Sequence, residues 1–385
     1  MREEDGVRVI DIQRPRDTRL PRPFGVLVNR WHKTVRLFAK AVWMWRLAAE
    51  RPDLLQVRDQ LTEAVLARFF TRSYGVRFAY QWDFPHFEAR LHLRDGSWPW
   101  ILRFQIAVRA WVMRGADLVL PISVGQGAVA RDRHGVDPTR IVPFPVGVAS
   151  DAMRRAREGS PHPKAAALRS EPALCYLGNL HAMRQPTLLF EIFSAVLEEM
   201  PEARLLLVGQ ITPEVGRLLE GFAGRDRIVR TGQIPHQDVP ATIATARVGV
   251  FPIPVSDSYD IYRTSSPLKV VEYMACGLPV VSSSVEDAER LLGESGGGVC
   301  ADNDPRVFAR EVVAYLRDPE RARSDGDRGQ AYIERYRSFE VLARDLEAAY
   351  QRLLSTGSPA PAESPLVAPI SHATGVDALP ARRRV

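Results

Sequence analysis

Cysteine is scarce in this chain. Cys175, Cys276 and Cys300 are the only three in 385 residues, an odd number at spacings that suit neither a zinc site nor a disulfide framework, so a reduced setting follows. Long apolar runs are missing as well: no stretch reaches the uncharged length that crosses a bilayer, and Met1-Arg2-Glu3-Glu4-Asp5 has no apolar run of signal-peptide type. The expected location is cytoplasmic. Apart from the basic Ala381-Arg382-Arg383-Arg384-Val385, charge of one sign is not concentrated. Fifty-two Lys and Arg against 46 Asp and Glu leave a formal charge of +6, with arginine spread throughout and no fingerprint of a nucleic-acid module. Nucleic acid is therefore not an expected partner, whereas an anionic substrate or an anionic lipid surface suits the balance. No cluster of His, Cys, Asp and Glu has metal-ligand spacing, so neither a metal nor a resident cofactor is expected.

What is present is enough chain for two domains, each with its own core, at an ordinary 45% hydrophobic and 25% charged content. The most informative stretch is Ser265-Ser266-Pro267-Leu268-Lys269-Val270-Val271-Glu272-Tyr273-Met274-Ala275-Cys276-Gly277-Leu278-Pro279-Val280-Val281. Ser266 suits an N-cap and Pro267 the first helical position, where its missing N–H has no partner to lose. Val270, Val271, Met274 and Ala275 form the apolar positions, Gly277 is a natural left-handed stop, and Leu278 to Ser282 then reads as a short buried strand. A helix start offers free N–H groups to an anion, and Lys269 in the first turn points to a phosphate or diphosphate. Glu272, three residues on, shares the face of Lys269 and can accept two hydrogen bonds from ribose hydroxyls. The same spacing also suits an ordinary helix with an exposed Lys–Glu pair.

Thr264 to Ser283, with Tyr273-Met274-Ala275 and Gly277-Leu278-Pro279-Val280-Val281, resembles the nucleotide-sugar signature of glycosyltransferase family 4, retaining enzymes of the GT-B fold. Other segments agree in order. Leu177-Gly178-Asn179-Leu180 resembles the opening strand and loop of the donor domain, Ala203 to Gly209 its second strand, and Thr231-Gly232-Gln233-Ile234-Pro235 the loop that packs on the base. In the first half, Ala116 to Ser123 is similar to a late acceptor-domain strand, and Pro145-Val146-Gly147-Val148 to the turn that closes that domain.

The resemblance implies an α/β architecture of two Rossmann-like doubly wound domains facing a cleft. Expected boundaries are an acceptor-side domain over 1–150, a linker over 151–171, a donor domain over 172–354 and a disordered tail over 355–385. It also implies donor contacts from Gly178, Arg184, Gly209, Ile234, Ser265, Ser266, Lys269 and Glu272. Many relatives carry a His after the strand matching Val76 to Tyr80; here Gln81-Trp82-Asp83-Phe84-Pro85-His86 makes Asp83 and His86 the candidates facing the sugar. Two departures stand out. Asn179 sits where many relatives have arginine, and Thr264 replaces the earlier of two glutamates, leaving Asp257 or Asp260 as substitute acids.

Val7 to Ile12 alternates like a short strand, and the Arg- and Pro-rich stretch to Pro23 reads as loop. No Gly-rich loop precedes that strand, so this half is expected to begin late relative to the family. Asn29 to Glu50 has helical periodicity, with Trp31, Val35, Phe38, Val42 and Trp45 in one stripe among basic residues; it suits either a helix packed on the sheet or one lying in a membrane interface. Strands at Leu54 to Val57, Val76 to Tyr80, Leu118 to Leu120 and Ile141 to Pro143, with helices over Leu61 to Phe70 and Trp98 to Arg114, give a βαβ rhythm. From Ala173 the alternation is regular, Asp238 is expected to cap the helix from Val239, and the last helix, Val341 to Leu354, is expected to cross back to the first domain. Together these features predict a retaining transfer from a nucleotide diphosphate sugar to a hydroxyl of a glycan, lipid-linked or small-molecule acceptor, with peripheral contact at the inner membrane face. The alternatives are a hydrolysing sugar epimerase of the same fold and a non-catalytic nucleotide-sugar binder.

Overall fold

The computed structural model describes residues 2–4, 7–9, 24–93, 98–181, 186–253 and 263–356, with backbone alone at 2–4, 7–9, 24–36, 92 and 93. Arg184, Asp257, Asp260, residues 10–23 and the expected 355–385 tail lie outside the described residues, except that Ser355 and Thr356 of that tail are the last residues of a helix. The chain begins with β1 (Arg2–Glu4) and β2 (Val7–Val9), an antiparallel pair separate from the other sheets. The strand expected over Val7 to Ile12 is thus half of a small hairpin. Helix α1 (Phe24–Ala49), β3 (Leu54–Arg58), α2 (Leu61–Tyr74), β4 (Arg77–Trp82), α3 (His86–Leu93), α4 (Pro99–Arg114), β5 (Leu118–Pro121) and α5 (Val124–Asp132) follow. β3, β4 and β5 form a parallel three-stranded sheet in that order.

Met44 of α1, Ala64 and Ala67 of α2, and Val112 and Met113 of α4 share one core with Phe78 and Tyr80 of β4. Among the described side chains of α1, Met44 and Ala48 are buried, whereas Phe38 and Trp45 of the stripe read from periodicity are 71% and 46% exposed; Trp31 and Val35 lie outside the described side chains. Ile141 to Pro143 does not become a fourth strand. Ile141 makes one isolated parallel bridge to Val119, and the amides of Val142 and Phe144 bond Val119 O and Pro121 O, but Pro121 of β5 has no N–H to return to Val142 O and complete the ladder.

The expected linker is helical. α6 (Ser150–Arg157) and α7 (Pro163–Ala166) place Met153, Ala165 and Leu168 in the core of the second sheet. That sheet comprises β6 (Ala173–Leu177), β7 (Arg204–Val208), β8 (Ile228–Gly232), β9 (Val248–Phe251), β10 (Val280–Ser283) and β11 (Gly298–Ala301), all parallel, in the order β11-β10-β9-β6-β7-β8. Around it lie α8 (Pro186–Glu199), α9 (Pro213–Glu220), α10 (Val239–Ile243), α11 (Leu268–Ala275), α12 (Glu286–Ser295), α13 (Pro305–Arg317) and α14 (Pro319–Tyr336). Asp238 precedes α10 without a side-chain cap, since its own backbone is already helical. The strand order reverses between β6 and β9, and a doubly wound sheet opens its crevice beyond the carboxyl ends at such a point. The last helix, α15 (Phe339–Thr356), returns to the first domain, where Leu346, Tyr350 and Leu353 pack with Ala79, Leu118 and Leu120.

Candidate functional site

Helix α11 organises the carboxyl ends of β6 and β9. Its Tyr273 ring lies over Gly249 of β9, where any Cβ would overlap the ring. The buried phenol accepts from the Leu177 amide at 2.5 Å and donates to Cys175 O at 3.0 Å. This fixes α11 in rotation, so the Lys269 stem falls against the Cα of Gly178 just beyond β6. Gly178 has φ +132 and so does Gly209 after β7, and a side chain on Gly209 would strike the Gly178 carbonyl. Two close backbone turns and one lysine stem thereby occupy one corner.

Glu272 is 9% exposed. The structure thus departs from the exposed-pair alternative. Burial raises the Glu272 carboxyl pKa above its ordinary value, and Lys269 and His236 offset this only in part. His236 Nε2 stands 3.8 Å from Glu272 Oε1, bringing the loop after β8 to the carboxylate, with Ile234 partly buried against the same core. Sequence reasoning did not single out His236; its place directly after the Ile234-Pro235 loop was the available signal. Asn179, found where many relatives have arginine, accepts from the Gln210 amide at 3.0 Å and so ties the loops after β6 and β7.

Ser266 is not the N-cap. That position belongs to Pro267, whose carbonyl accepts from Val270 at 3.0 Å, while the Ser266 hydroxyl donates to Asp287 and accepts from the Val146 amide at 3.4 Å. The hydroxyl is committed to these contacts instead of turning onto the helix start. They set the amino end of α11 at the boundary of the two domains. The Ser123 hydroxyl donates to Thr264 O at 2.5 Å and also caps α5 by accepting from Gln126 N at 3.0 Å. Gly125 at the start of α5 lies against Glu286, to which its amide donates. Asp287 is held by Arg337 at 2.5 Å and Arg290 at 2.8 Å, and Arg337 also donates to Val146 O at 3.2 Å.

Asp83 and His86 sit at the carboxyl end of β4, His86 as the first residue of α3 and not in a loop. Asp83 accepts from Arg58 at 2.5 Å and from Gln81 at 2.9 Å. His86 Nε2 lies 3.4 Å from Asp59, and that hydrogen bond raises the imidazole pKa above its ordinary value. These pairings lie within the first domain. Gly178, Gly209, Ile234, Ser265, Ser266, Lys269 and Glu272 are gathered around the β6–β8 ends and α11. Among the described residues no group of three His, Cys, Asp or Glu is placed to hold a metal ion.

Residues 171–318 match the family described as Glycosyl transferases group 1, and residues 1–147 match the Glycosyl transferase 4-like domain. The chain is 26% identical over 235 residues to D-inositol 3-phosphate glycosyltransferase of Segniliparus rotundus, covering 59% of this chain and 50% of that protein. It is 27% identical over 225 residues to phosphatidyl-myo-inositol mannosyltransferase of Mycobacterium leprae, covering 56% and 55%. The matched stretch thus spans about half the length of these curated relatives. In fold it is similar to sucrose-phosphate synthase from Thermosynechococcus elongatus, with TM-score 0.61, 19% identity and coverage of 78% of this chain and 73% of that one. The Anabaena protein Alr3699/HepE in complex with UDP gives TM-score 0.63 at 15% identity, covering 81% and 82%.

Proposed function

Because the chain belongs to the GT-B glycosyltransferases of family 4 type, we propose that it takes a glycosyl group from a nucleotide diphosphate sugar and passes it, with retention, to a hydroxyl acceptor. The bond from the anomeric carbon to the diphosphate oxygen breaks, a bond to the acceptor oxygen forms, and the acceptor gives up its hydroxyl proton. The observation that carries this reading is the convergence of Lys269, Gly178 and buried Glu272 at the carboxyl end of β6, beside the domain boundary. Lys269 and the amides opening α11 would offset the charge that develops on the leaving diphosphate, the largest electrostatic demand of such a transfer. Gly178 gives room to the Lys269 stem and Gly209 to the Gly178 carbonyl, which brings both loops up to the proposed phosphate position; Glu272 would hold the ribose hydroxyls, and Ile234 would pack on the base. Asp83 and His86 are proposed to face the sugar from the opposite domain, and Arg184 to add a further contact to the diphosphate. The reading needs no metal, since the lysine and helix start supply the positive field. UDP in a protein of the same fold supports a nucleotide donor.

The acceptor is proposed to be a glycan or lipid-linked hydroxyl reached by peripheral contact with an anionic bilayer. Exposed Phe38, Trp45, Trp100 and Phe104 on α1 and α4, interleaved with Arg46 and Arg103, support that contact. Among the described residues no helix is long and apolar enough to cross a membrane. Calorimetry with a panel of nucleotide diphosphate sugars tests the donor half: Glu272→Ala is expected to weaken donor binding by about 1–3 kcal/mol. Unchanged affinity in that variant would remove the ribose role. Release of the nucleoside diphosphate only when a hydroxyl acceptor is added would support transfer over hydrolysis.

A further inference from the structure

At the end of the first sheet remote from the domain boundary, a cavity of about 490 Å³ opens between α2, the end of α4 and the starts of β4 and β5. Five arginines line it, Arg68, Arg72, Arg77, Arg114 and Arg140, against one carboxylate, Asp117. That carboxylate is already engaged by Arg77 at 3.0 Å and by the Phe78 amide at 2.9 Å. Arg114 and Arg140 each donate to a backbone carbonyl, of His134 at 2.9 Å and of Ala116 at 3.2 Å, which orients them without neutralising them.

Arg68 is the telling member. Its guanidinium lies 3.7 Å over the face of Trp111, and its other side covers Gly115, where any side chain would displace it. In this position one terminal nitrogen, Nη1, is buried with no hydrogen-bond partner. A buried donor left unmade is costly, and like charges at Arg72 and Arg114 add to the cost. Burial first, then those two arginines, lowers the Arg68 pKa from its ordinary value. The fold nonetheless holds Arg68 there, between an indole and a glycine.

We propose that this cavity is a binding site for a phosphate group, separate from the donor site, with Arg68 and Arg72 as its principal ligands. The guanidinium fork matches tetrahedral oxyanions, and the volume falls within the range of small-molecule sites. The six residues of β4 separate the cavity from the boundary-facing end by on the order of 15 Å. Half-exposed Trp111 stacks on Arg68 at the cavity, so the phosphate belongs either to a lipid headgroup or to a phosphorylated compound in solution.

Calorimetric titration of the full chain with inorganic phosphate at low ionic strength tests the site. Arg68→Gln is expected to weaken phosphate binding about tenfold, the loss of a charge-assisted hydrogen bond. Exposed Arg72→Glu, which removes no buried contact, is expected to weaken it in the same direction and guards against misfolding of the first variant. Lys269→Met should leave this binding in place. Co-sedimentation with phosphatidylglycerol vesicles but not phosphatidylcholine vesicles, lost in Arg72→Glu, would assign the phosphate to lipid; phosphate binding without co-sedimentation would assign it to a soluble compound. No heat with phosphate, or equal affinity in the wild type and both arginine variants, would overturn the site.

Discussion

Glu272 carries the sharpest pH consequence at the scale of single residues. Burial raises its pKa, while hydroxyl donors from a ribose favour its charged form, so donor binding and proton release are linked. Donor affinity should fall as the pH drops through the raised Glu272 value, and Glu272→Gln should flatten that profile; calorimetry across pH 4–7 reads both. Gly178 makes a second case. Its φ of +132 strains any L side chain, and an added methyl meets the Lys269 stem. Gly178→Ala should therefore lower the melting temperature and weaken donor binding together. Much of this corner was legible in the sequence, because glycines at strand ends and a lysine one turn before a glutamate are local patterns. The Ser266 cap was misread for the opposite reason: its true partner, Asp287, lies twenty-one residues on and is brought close only by the fold. His236 likewise joins Glu272 across sequence.

Among the elements, α11 is held by Tyr273, whose hydroxyl serves the Leu177 amide at the very end of β6. Tyr273→Phe leaves that buried amide unmet, and chemical denaturation should show a loss of about 1–3 kcal/mol. Most of the second sheet was readable, since β6, β7, β9 and β10 are short buried runs rich in apolar residues; β8 is only half-buried, and β11 was not read. The first was less so. Phe38 and Trp45 keep helical spacing yet stay exposed, Trp45 reaching α2 only through its Nε1 hydrogen bond to the Tyr74 hydroxyl, while Met44 and Ala48 are the buried ones among the described side chains of α1. Periodicity records a stripe without saying which stripe is covered. At Ile141 the β-propensity was real, but the facing strand offers Pro121, which has no N–H to return across the ladder.

Over the whole molecule, the two domains meet through a buried polar network centred on Asp287, with Arg337, Arg290 and Ser266 on the second domain and the Val146 backbone on the first. Burial would raise the Asp287 carboxyl, but Arg337 and Arg290 overcome it and hold its pKa below the ordinary carboxylate value. The resulting stability is present above about pH 4, the unfolded value, and is lost as the pH falls through the lower folded value. Arg337→Met leaves the buried carboxylate with Arg290 and Ser266 alone and should cost about 3 kcal/mol, with the acid midpoint moving upward, as a pH-jump unfolding series would read. The return of α15 onto β4 and β5 was expected from the family resemblance; the Asp287 network was not, since charged residues far apart in sequence give no local sign of pairing.

The most direct measurement is a crystal structure of the protein with a nucleoside diphosphate selected by a thermal-shift panel. The account predicts the diphosphate beside Lys269 and the start of α11, with both ribose hydroxyls on Glu272. A diphosphate bound elsewhere, with Lys269 and Glu272 facing only water, would contradict it.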